Sequence, residues 1–156
     1  MEEERPMYDP TNPPEEWVQW TIAEWLDMHG ILWCHVPNEG EHKVQYRRKQ
    51  RILGVRAGVP DILIFDPPPA RPEHRGVALE LKRKEGGRLT PRQRWWLHEL
   101  EARGWYAAVC YGIEEALRTL EALGYGDFRG RFAEPYPEAP SRRSTSRRGQ
   151  GAGVGT

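Results

Sequence analysis

Asp61, Glu80 and Lys82 are residues whose types and spacing could do chemistry together. Glu80 and Lys82 lie in GVALELKRK, which reads as a β-strand. Successive strand side chains point to opposite faces, so Val77, Leu79 and Leu81 share one side while Ala78, Glu80 and Lys82 share the other. Alone, the charged pair fits a solvated face with an incidental ion pair worth about 0–1 kcal/mol. Asp61 changes the balance. It stands at the mouth of the preceding apolar strand, in GVPDILIF, and adjacent pairing of the two strands would bring two carboxylates and one ammonium to a single edge. That grouping is a metal site in outline. Mg2+, or Mn2+ in its place, takes oxygen ligands, commonly one or two carboxylates with water and phosphate completing the set. Lys82 beside such a site could orient a water or hold a phosphate.

The elements that must position these groups can be read around them. Pro14 falls where a helix would begin, and EEWVQWTIAEWLDMHG carries its apolar residues at helical spacing before Gly30, a plausible C-cap. ILWCHVP predicts a short strand. The polar, basic and glycine-rich stretch that follows, NEGEHKVQYRRKQRILGVRAGVP, reads as a long loop of functional rather than connecting length. DILIFD suits a central strand buried on both faces, and PPPARPEHR is a turn or extended loop before the Glu80 strand. Thr90 as N-cap and Pro91 at the first helical position open a second helix that Gly104 closes. WYAAVCYG and IEEALRTLEALGYG complete the pattern as strand and amphipathic helix. The order α-β-β-β-α-β-α predicts an α/β fold with a mixed central sheet of about four strands flanked by helices. The expected division is an extended lead over residues 1–14, one domain over 15–133 and a disordered basic tail over 134–156.

Composition sets the outer limits. At 156 residues the chain suits one domain with a real core. It has no apolar run near the roughly 18 residues a membrane span needs and no secretory leader pattern, so an intracellular, cytoplasmic protein without membrane contact is expected. Cys34 and Cys110 stand apart from any metal-ligand spacing and read as reduced thiols in the core. Net charge is zero, but its distribution is uneven: the start is acidic, whereas KVQYRRKQRILGVR holds Lys43, Arg47, Arg48, Lys49, Arg51 and Arg56 with no Asp or Glu. A basic block beside an acidic cluster suits a site that holds a phosphate backbone and also binds metal.

Pro60-Asp61, an apolar strand and then Glu80-Leu81-Lys82 resemble the PD-(D/E)xK signature of restriction-endonuclease-like nucleases. More closely, EEWVQWTIAEWL, HVPNEG, GVPDILIF, LELK and LTPRQRWWLHELEARGW resemble the VRR-NUC family, over roughly residues 15–125. The resemblance implies a Mg2+- or Mn2+-dependent deoxyribonuclease acting by structure on branched, flapped or junction DNA. It also implies a homodimer and a replication or repair protein as possible partners. It makes Asp61, Glu80 and the backbone carbonyl of Leu81 metal ligands and Lys82 the catalytic lysine. An acidic residue of the first helix joins them, Glu15 in preference to Glu16. Gln93 would bond a phosphate oxygen or a metal-bound water, or else face solvent. His35, Asn38 and the basic block would face DNA, while Trp95 and Trp96 read as core anchors. The DPPPARPEHR connection is longer than the family's hairpin and leaves the strand pairing open. The competing reading is a non-catalytic nucleic-acid-binding subunit that keeps the fold.

Overall fold

The computed structural model describes residues 9–37 and 44–126. Its elements run α1 (Glu15–Met28), β1 (Trp33–His35), α2 (Val44–Ile52), β2 (Ile62–Ile64), β3 (Val77–Lys82), α3 (Pro91–Ala102), β4 (Tyr106–Tyr111) and α4 (Ile113–Ala122). The sheet has the order β1-β2-β3-β4, with the first three strands antiparallel and β4 parallel to β3. The parallel pair follows from α3, which crosses over between its two strands.

Alternation along β3 sorts the two layers. Val77, Leu79 and Leu81 join Val18, Ile22 and Leu26 of α1, Ile62 and Ile64 of β2, and Ala116 and Leu120 of α4 in one apolar cluster. Helix α3 meets the opposite face, where the Gln93 amide reaches Glu80. A strand between two layers is dry on both sides, and all of β3 is buried. The solvated face that Glu80 and Lys82 would have had on an edge strand is therefore absent.

The Pro-rich connection between β2 and β3 is pinned rather than loose. Ala70 N–H donates to Leu123 O at 2.9 Å, and the Tyr125 hydroxyl donates to Asp66 O at 2.5 Å. Despite that long connection, β2 and β3 pair in regular antiparallel register, with Ile62 opposite Leu79, which brings Asp61 level with Glu80.

Three expectations are corrected. The basic stretch is not all loop: Val44–Ile52 forms a helix with no buried residue. Its run of Gln, Arg and Lys has good intrinsic helix propensity and meets no glycine until Gly54. Cys110 is buried as expected, but Cys34 is exposed on the edge strand. Trp95 is 57% exposed and no core anchor, because the buried stripe of α3 runs through Gln93 and Leu97 instead. Asn38, the lead up to residue 8 and the tail expected over residues 134–156 lie outside the described residues. Among those described, no helix is long and apolar enough to cross a membrane.

Gly58 fixes the approach to Asp61. Its φ is +89°, and a Cβ there would stand 2.9 Å from the Arg92 backbone carbon. Gly58→Ala should lower unfolding free energy by about 1–3 kcal/mol through left-handed strain and crowding. Urea unfolding measures this, and an unchanged midpoint would refute the close packing.

Candidate active site

Three elements deliver three carboxylates to one place. Asp61 precedes β2, Glu80 lies within β3 and Glu15 opens α1. One carboxylate oxygen from each lies within 4.8 Å of the others. Glu80 is 1% exposed and Asp61 9%, while the Glu15 side chain is 45% exposed and opens the cluster to solvent. Glu16, the neighbouring alternative, is exposed and outside the cluster.

Each buried group has an orienting partner. The Leu81 N–H donates to Asp61 Oδ2 at 2.8 Å, so the strand backbone itself aims that carboxylate. Leu81 contributes its side chain to the core and its amide to the site. Lys82, 6% exposed, places Nζ 3.3 Å from Glu80 Oε1 and 3.8 Å from Glu15 Oε1. The backbone of Gly87 leaves room for it, since a Cβ on that glycine would come within 2.8 Å of Lys82 Cβ.

Gln93 is 8% exposed, so it does not face solvent. Its backbone N–H donates to the Thr90 hydroxyl oxygen, and its Oε1 accepts from the Thr90 N–H at 2.9 Å, closing a capping box at the start of α3. With Oε1 so engaged, Nε2 is aimed at Glu80 Oε1, 2.8 Å away. The sequence motif LTPRQ carried both the cap and this contact, but only the packing of α3 on β3 reveals the second.

Glu80 Oε1 thus has two partners, whereas buried Glu80 Oε2 has none while both carboxyls are ionised and pairs with Asp61 only when a proton lies between them. An unsatisfied buried carboxylate oxygen is costly. Burial first, and then the Asp61 charge, push the Glu80 carboxyl from 4.5 up to about 8, with Lys82 acting in the opposite sense. Burial also raises Asp61, against the opposing Leu81 hydrogen bond, and raises Glu15, against Lys82. Two buried carboxylates, a third at the mouth and an orphaned oxygen fit a hard divalent cation.

The remaining sequence candidates separate into two groups. His35 is exposed at the edge strand, its Nδ1 2.7 Å from the Asp61 carbonyl oxygen, which fixes the ring beside the site with Nδ1 as donor. Arg47, Arg48 and Arg51 line an open cleft together with Val44, Ile52 and Arg56 of the same basic stretch, and with Arg92, which was not singled out from the sequence. Arg92 joins them because Gly58 rests on its backbone. Lys49 is exposed and forms no part of that wall.

The VRR-NUC domain family model matches residues 13–114. A solved structure described as a VRR_NUC domain protein is similar at 24% identity with a TM-score of 0.57, over 74% of this chain and 88% of that one, a likeness of fold. No curated protein matches.

The metal-free site has a pH signature. Between the ordinary value of 4.5 and about 8, folded Glu80 holds a proton that the unfolded chain has released. The Glu80 contribution to stability is then full below pH 4.5 and is lost as pH rises through about 8. Glu80→Gln keeps an oxygen for Gln93 and removes the buried charge. In chelator, the variant should gain melting temperature over the parent increasingly from pH 5 to pH 8.5, and parallel curves would contradict the assignment.

Proposed function

This chain belongs to the VRR-NUC domain family, a nuclease-type domain, and we propose that it is a metal-dependent deoxyribonuclease hydrolysing phosphodiester bonds at the Asp61, Glu80 and Glu15 cluster. The observation that carries this reading is the convergence of Glu15, Asp61 and Glu80 carboxylate oxygens within 4.8 Å, with Asp61 and Glu80 buried and Glu80 Oε2 unpaired whenever both are ionised. A surface that only bound DNA would gain nothing from acidic groups facing a polyanion, which weighs against the non-catalytic alternative.

Asp61 and Glu80 are the principal ligands in this reading, with Glu15 and the Leu81 carbonyl completing the protein's share, and Mg2+ or Mn2+ as the ion. When bound, such an ion supplies Lewis-acid polarisation of a phosphoryl oxygen and makes water more acidic. The chain's own groups do the positioning. Lys82, held among acids in a buried setting, orients the attacking water and offsets charge on the phosphate. Gln93 holds the Glu80 carboxylate through Oε1, which would leave Oε2 available to a bound ion. Hydrolysis adds water's oxygen to phosphorus, breaks one P–O ester bond and returns a proton to the departing oxygen.

In this reading the α2 arginines supply phosphate contacts outside the site, His35 is a further DNA contact, and Asn38, outside the described residues, is a DNA contact on the family resemblance alone. Phosphate contacts alone carry no base sequence, so selection is by DNA shape, with branched, flapped and junction substrates preferred. A homodimer and a replication or repair partner complete the proposal. The domain is proposed to span 15–133, with 1–14 as a lead and 134–156 as a basic tail.

Purified protein should cut at least one of a panel of single-stranded, duplex, flap and four-way-junction DNAs with Mg2+ or Mn2+, and none with chelator. Asp61→Ala and Lys82→Ala should each cost about a hundredfold or more in rate, while Asp61→Ala still binds DNA. Cutting that survives chelator, or proceeds equally in both variants, would sink the reading.

A further inference from the structure

The arginine cleft and the exposed Trp95 call for a common explanation. Arg47, Arg48, Arg51, Arg56 and Arg92 line the cleft with Val44 and Ile52, and no acidic residue is among its described lining. Gathering like charges is unfavourable without a polyanion to neutralise them. Trp95 lies one turn along α3 from Arg92, on the same helix face. The ring is 57% exposed yet firmly backed: Trp96 packs edge-to-face against it at 5.5 Å and 87°. Trp96 in turn donates its indole N–H to Ala57 O at 3.1 Å, in the segment between Arg56 and Gly58.

We propose that this cleft and Trp95 together hold a single-stranded DNA segment, phosphates against the arginines and an unpaired base stacked on the Trp95 ring. Cationic grooves with an aromatic platform suit single strands, because every base has a face to stack and only an unpaired base can present it. Five arginines against two apolar residues, Val44 and Ile52, favour DNA over an apolar protein partner. The cleft is also tied to the chemistry, since Arg92 is followed directly by Gln93, which bonds Glu80. The inference rests on the nuclease reading and deepens it: the preferred substrate carries an unpaired arm beside the scissile bond, as in a flap or overhang, rather than being blunt duplex.

Fluorescence anisotropy in chelator, with the full chain and a labelled oligonucleotide of about 15 nucleotides, tests it without any bond being cut. Trp95→Ala should weaken binding to the single strand by about five- to a hundredfold, the span of one base stack. It should leave a blunt duplex within about twofold, and Trp95→Tyr should restore most of the loss. An all-abasic strand should bind parent and Trp95→Ala alike. Arg48→Ala with Arg51→Ala should weaken every ligand and flatten the salt dependence by about 0.7 per lost single-strand contact.

An equal effect of Trp95→Ala on single strand, duplex and abasic strand, or no effect, overturns the proposal. So does a Trp95→Ala change confined to oligomeric state, which would give the ring to a second copy. Trp95-dependent binding without any cleavage would uphold this inference while sinking the nuclease reading. Cleavage without Trp95-dependent binding would do the reverse.

Discussion

The structure depends on a buried charge problem. Glu80 lies on a strand that is dry on both faces, beside Asp61 across the β2–β3 pairing, with one carboxylate oxygen left without a partner. Ionised, that oxygen has no partner; Glu80 responds by holding its proton up to about pH 8, and the protonated carboxyl hydrogen-bonds Asp61. A single ammonium, Lys82, stands against three carboxylates. A cation of higher charge relieves the arrangement; without one, protonation must. The same preorganised acidity that weakens the empty fold makes the site ready for an ion.

Secondary-structure chemistry and site chemistry share groups here. The capping box of α3 uses the backbone and carbonyl of Gln93, leaving its amide nitrogen for Glu80. The β3 backbone at Leu81 holds Asp61 while the Leu81 side chain packs the core. Gly58 on the Arg92 backbone joins the Asp61 approach to the start of the same helix. A shift of α3 on the sheet would therefore disturb the carboxylates and the arginine cleft together.

Much of this was legible in the chain. Period-two alternation in VALELK, the apolar DILIF and the Thr90-Pro91 start predict the strands and α3 that the structure contains. The order of Pro60-Asp61 and Glu80-Leu81-Lys82 carried the family resemblance. What local pattern could not report was burial. Glu80 and Lys82 look like surface charges until α3 is known to cover their face, and Trp95 looks like core until the buried stripe of α3 is seen to pass through Gln93 and Leu97. The α2 helix was hidden for a related reason: it buries nothing, so no apolar periodicity marks it. Arg56 and Arg92, distant in sequence, are brought together where Gly58 packs on the Arg92 backbone and Trp96 bonds Ala57 O.

The central claim is that the Glu80 orphan oxygen and its two carboxylate neighbours exist for a divalent ion. Crystals soaked in Mn2+ and measured for anomalous scattering address it directly. One peak within about 2–2.5 Å of oxygens of Asp61 and Glu80, missing from crystals of Asp61→Asn, is the result this account predicts. A saturated soak with no peak at the cluster, or one bound elsewhere and untouched by Asp61→Asn, would contradict it.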